Sequence, residues 1–137
     1  MLASKAEAAC ENFQKIFASC EGSYIDAVTF SAIGERDYLD FKLIQTQKWG
    51  VVTVLLEDVR YFKISKGDDL VSVFVDEVSV LCLPKTSQSW PDGAEGLVTR
   101  FDGLPELYWV RIIGPATISA VAAIMTVSVS QDPPEEN

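Results

Sequence analysis

One fifteen-residue pattern occurs twice in this chain, nineteen positions apart: residues 52–66 read VTVLLEDVRYFKISK and residues 71–85 read VSVFVDEVSVLCLPK. Each copy has two valines two apart, an apolar pair, two adjacent acids, a third valine, a β-rich run and a closing lysine. Val52, Val54, Leu56, Phe62 and Ile64 match Val71, Val73, Val75, Leu81 and Leu83 on one face of a period-two pattern. Two strands of one plan, joined through a turn at Gly67-Asp68, are expected to pair as a hairpin. The polar breaks at Asp58/Arg60 and Glu77/Ser79 predict a bend or bulge in each. An old duplication explains the likeness; so does a shared packing constraint, which asks for less.

Around this pair the period switches once. Residues 4–21 place Ala6, Ala9, Cys10, Phe13, Ile16, Phe17 and Cys20 on one stripe at spacings of three and four, an amphipathic helix. Ser4 and Glu7 form a capping box at its start, and Gly22 suits its end. From Ser23 onward the pattern is β. Residues 24–33 and 38–47 read as strands, the second with Leu39, Phe41 and Leu43 opposite Tyr38, Asp40 and Lys42. Lys48-Trp49-Gly50 turns into the first copy of the repeat. Residues 86–106 form an irregular loop, 107–113 a strand, Gly114-Pro115 a turn, and 116–130 two short strands. Residues 132–137, DPPEEN, are a polar tail. The whole predicts one α+β domain over residues 1–131: an N-terminal amphipathic helix packed on a mainly antiparallel β-meander that forms a sandwich or half-open barrel.

Several chemistries are disfavoured. The chain has no histidine, which removes Ser-His-Asp and Cys-His catalysis and the commonest ligand of zinc, copper and iron. The three cysteines, Cys10, Cys20 and Cys82, have no paired spacing and read as buried thiols of a reducing compartment. No glycine-rich phosphate loop is present, since DGAEG at 92–96 does not lead from a strand into a helix. The first residues lack the apolar core of a signal peptide, and the uncharged stretch 112–131 is too dilute in large apolar residues for a spanning helix. A cytoplasmic protein with no membrane segment is expected.

Charge is lopsided. Residues 1–66 hold nine acids and eight bases (net −1), and residues 67–137 hold eleven acids and three bases (net −8), making −9 in all. Nucleic acid is disfavoured as a partner, because phosphate contact needs a basic stripe. A basic protein is favoured. The leading expectation is therefore non-catalytic: an acidic adaptor or neutraliser, immunity-protein-like, of a basic partner, with no cofactor and with homo-oligomers allowed. Its docking residues are expected in the long loop, at Trp90, Asp92, Glu95, Phe101 and Asp102, because loop tryptophans anchor interfaces and the acids would steer a cation-rich surface. The alternative is a small-ligand or divalent-cation domain. A hairpin would gather Glu57, Asp58, Asp76 and Glu77, and four carboxylates together call for a bend, a neutralising Arg60 or a hard cation. A carboxylate-dependent hydrolase ranks last, since no two acids stand out from the rest.

Overall fold

In the computed structural model, which describes residues 5–32, 37–66, 74–85 and 88–130, the elements are α1 (Lys5–Ala18), β1 (Tyr24–Ser31), β2 (Tyr38–Ile44), β3 (Val51–Lys66), β4 (Glu77–Leu83), β5 (Leu107–Ile113) and β6 (Ala116–Ser130). Ser4, Gly34, Gly67, Asp68, Val71, Val73 and the 132–137 tail, on which some expectations rest, lie outside the described residues. The strands make one antiparallel sheet in the order β1-β2-β3-β6-β5-β4. This is two meanders, β1-β2-β3 and β4-β5-β6, joined where β3 runs beside β6. The expected α+β architecture, a helix on an antiparallel meander, is the one found.

The helix stripe faces inward as its spacing predicts. Ala6, Cys10, Phe17 and Cys20 are buried, Phe13 and Ile16 partly so, and Gly22 takes a left-handed φ of 84° past the helix end. The main core fills the space between α1 and the inner face of the sheet, with Leu39, Phe41 and Leu43 of β2 against Val52, Val54 and Leu56 of β3. The sheet curls until Tyr24 of β1 bridges Phe74, just ahead of β4. The backbone N–H of Gly22 donates to Val75 at 2.7 Å, and that of Val75 donates to Ser23 at 2.8 Å. Among the described residues the edges touch only at this end, so the sheet is not closed into a barrel, and no second sheet is present to make a sandwich.

The hairpin between the two repeat copies is overturned. β6 and β5 lie between β3 and β4. The reason is length. β3 runs from Val51 to Lys66 and pairs end to end with β6, from Val51 opposite Ser130 to Lys66 opposite Ala116. β4 covers only Glu77–Leu83, and pairing with it would leave much of the β3 ladder without hydrogen-bond partners. The shared face fails as well. Phe62 packs on the main core, whereas Leu81 and Leu83 belong to a second cluster on the opposite side from Val78 and Val80.

The break in β3 is where the sequence puts it, and it also corrects the reading of residues 116–130. Asp58 has a φ of 55°, and the β3–β6 register shifts between Val59 and Tyr61. Leu56 and Val59, three residues apart, both face the main core, and so do Ala122 and Met125 on β6. Both strands bend at one level. The change of phase at Ala122–Met125 is what imitates two short strands; the backbone is one continuous strand.

Candidate interaction site

The β4–β5 loop is built around two turns of the same make, PDGA at 91–94 and FDGL at 101–104. In each the fourth residue's N–H donates back to the first residue's carbonyl, Ala94 to Pro91 at 3.1 Å and Leu104 to Phe101 at 3.1 Å. The third residue is a glycine at positive φ, 89° for Gly93 and 93° for Gly103. That conformation is open to glycine and strained for most other residues, which is why D-G recurs here. In each turn the fourth residue is buried, and the aspartate at the second position is left outside.

Beneath the turns Trp90, Ala94 and Leu104 pack on Leu83, Leu107, Trp109 and Val121, a second core on the outer face of the sheet. Each indole there has its polar edge satisfied. Trp90 Nε1 donates to the Pro84 carbonyl at 2.7 Å, and Trp109 Nε1 donates to Ser119 Oγ at 2.9 Å. Arg100 stacks 4.3 Å over the Trp90 ring, donates to the Lys85 carbonyl at 2.7 Å and faces the Glu95 carboxylate at 3.6 Å. Arg111 lies 4.6 Å over the Trp109 ring. Stacked cations and buried rings hold the described part of this loop to the sheet.

Of the five residues expected to dock a partner, the structure therefore separates one from four. Trp90 is 6% exposed and anchors the loop from below. Phe101 is 52% exposed, and Asp92, Glu95 and Asp102 are exposed on the same loop. The repeated D-G turn is a signal that sequence reading passed over. It marks which acids stand at corners.

The four acids of the repeat are not brought together. Val78 lies in the row of Ile112, Ile118 and Ile64, so Glu77 enters the sheet near the far end of β3, strands away from the Asp58 bend. Asp58 is held by Arg60, whose Nε and Nη2 donate to its two carboxylate oxygens at 2.9 and 3.0 Å. Asp37 Oδ1 accepts the Val59 N–H at 3.0 Å and completes the bend. Among the described residues no cluster of three or more His, Cys, Asp or Glu side chains could hold a metal ion.

A groove of about 390 Å³ runs between α1 and β4, lined by Glu7, Cys10, Glu11, Gln14 and Val80–Cys82. Burial, then the neighbouring Cys82, Glu7 and Glu106, push the Cys10 thiol up to about 12. Burial likewise pushes Cys20 up to about 11, against a hydrogen bond from Ser19 that lowers it. A thiol that keeps its proton is a poor nucleophile at neutral pH. Among the described residues no helix is long and apolar enough to cross a membrane. No protein-family model and no curated protein matches the chain.

Proposed function

We propose that this chain is a non-catalytic binding domain that docks a basic protein partner through the β4–β5 loop, acting in the cytoplasm as an adaptor or neutraliser. The observation that carries the reading is the exposed Phe101 ring on a loop fixed by buried tryptophans, with Asp92, Glu95 and Asp102 exposed along the same loop. An apolar anchor on a rigid support loses little entropy on binding, and acids around it steer a basic surface towards it. The acidic second half extends that field. The three thiols suit a reducing compartment.

The test places a photo-crosslinking phenylalanine analogue at position 101 in cells and identifies what it captures. Capture of one basic protein, lost on charge reversal of Asp92, Glu95 and Asp102, is the expected result. With the purified pair, that triple reversal slows association more than it speeds dissociation, and added salt weakens the wild-type complex. Equal capture from a control position on α1, or association rates unmoved by the triple reversal, would rule out this loop as the contact.

A further inference from the structure

Over β4, β5 and the first half of β6 both faces of the sheet are covered, by α1 with the main core on one side and by the β4–β5 loop on the other. Among the described residues, the outer face of β1, β2, the first half of β3 and the second half of β6 has no helix or second sheet packed on it, since α1 packs on β4 and β5. Alternation puts Leu39, Phe41, Leu43, Val52 and Val54 inside, and therefore turns Asp40, Lys42, Thr53 and Leu55 outward. Asp40 shares a row with Leu55 and Thr126, and Lys42 shares the next with Thr53 and Ser128. Ile124 is 48% exposed on the same face.

We propose that this face docks a second copy of the chain, sheet against sheet, about a two-fold axis that crosses the strands between the Asp40 row and the Lys42 row. Charge decides both the partner and the axis. Two copies of a chain at −9 repel over most of their surface. On this face an acid and a base stand side by side. The crossing axis sets each Asp40 against the partner's Lys42, twice. An axis along β2 would set Asp40 against the same residue of the other copy and lose both contacts. Leu55 then packs over the methyl-bearing Thr53 of the other copy near the centre. Glu57 falls in the end row with Tyr38 and Ile124, where solvent reaches it, and Asp26 stands exposed in the β1 bulge at the edge of the face, beside Lys42 of its own copy. Antiparallel faces of this kind stack aligned at about 30°.

Four strands about 4.8 Å apart and some seven residues long, at about 3.4 Å each, give a footprint on the order of 450 Å² per copy. That is at the low end for specific interfaces, so a weak, reversible dimer populated at high chain concentration is expected. Sedimentation equilibrium from about 10 µM to about 1 mM, at about 0.15 M salt, reads it directly. Wild type is expected to associate reversibly. Lys42→Asp and Asp40→Lys are each expected to weaken association about tenfold or more, with circular dichroism and thermal midpoint showing both variants folded. An equimolar mixture of the two variants is expected to associate again, as a heterodimer with two acids at positions 40 and 42 of one copy facing two bases at those positions of the other. A wild type that stays monomeric across the range overturns the proposal. Association indifferent to Lys42→Asp, or a mixture that stays monomeric, overturns it too.

Discussion

Gln14 stands beside Val80 in the place of a missing strand: its Oε1 accepts the Val80 N–H at 3.1 Å, and its Nε2 donates to the carbonyl of Val78 at 3.2 Å. One primary amide has the donor and acceptor that a neighbouring peptide would supply. It answers two groups on the free edge of β4, the edge that α1 covers.

Gln14→Ala is accordingly expected to cost about 1–3 kcal/mol, because two partly buried backbone groups lose their partner. Gln14→Glu keeps the acceptor but sets a carboxylate against the Val78 carbonyl, so it is expected to be at least as damaging. Urea unfolding curves of the three proteins decide the matter. A Glu variant as stable as wild type would mean that the bond to Val78 contributes nothing.

The loop's anchor and its display should part company under mutation. Trp90→Ala removes a buried indole and is expected to cost about 3–5 kcal/mol. Phe101→Ala is expected to stay within about 0.5 kcal/mol of wild type, since the ring stands mostly in solvent. Thermal or chemical denaturation of the pair measures both. A large loss at Phe101 would make that ring part of the structure.

Alkaline pH should destabilise the fold through its thiols. Cys10 and Cys20 are raised from 9.0 to about 12 and about 11. Below pH 9 both states hold these protons and the contribution is complete. Between 9 and the folded values only the unfolded chain gives them up, so stability falls as pH rises through that window. Tyr108, raised chiefly by its own burial, adds to the fall. Thermal midpoints from pH 8 to pH 11 should drop more steeply for wild type than for a Cys10→Ala/Cys20→Ala double variant. Parallel curves would show that the two thiols take no part in this linkage.

At the β3 bend, Asp58→Val is expected to cost about 1–2 kcal/mol, because a branched side chain resists a positive φ. Asp58→Asn, which tolerates that conformation and gives up only a partly exposed ion pair, is expected to lie near wild type. Millimolar Ca²⁺ should leave the thermal midpoint unmoved, since Arg60 already occupies the Asp58 carboxylate and Glu77 enters the sheet elsewhere. A clear rise with Ca²⁺, abolished by Asp58→Asn, would restore the cation reading.

Local features were legible in the sequence, and distant ones were not. The α1 stripe, the alternation of β2, the limits of β5 and the bend at Asp58 each depend on neighbours within a turn or a few residues. The partner of β3 does not. The two repeat copies resemble one another because each demands burial, and burial says nothing about which strand lies alongside. Only the match in length between β3 and residues 116–130 pointed to their pairing, and the phase change at Ala122–Met125 hid it by making one strand look like two. At the loop, the acids were visible as composition. Which of them stand out depends on Ala94 and Leu104 being buried, a fact of tertiary packing.

The seam between β3 and β6 has one more consequence. Each meander is continuous in the chain, the first within residues 24–66 and the second within residues 77–130, yet α1 starts the first segment and covers the outer edge of the second. Neither segment can satisfy itself: one holds a helix with no sheet edge to cover, the other a sheet edge with no helix. Divided between Lys66 and Phe74, the protein becomes two peptides of complementary need. They are expected to stay largely unstructured apart and to reassemble when mixed, which makes this fold a natural candidate for a split reporter.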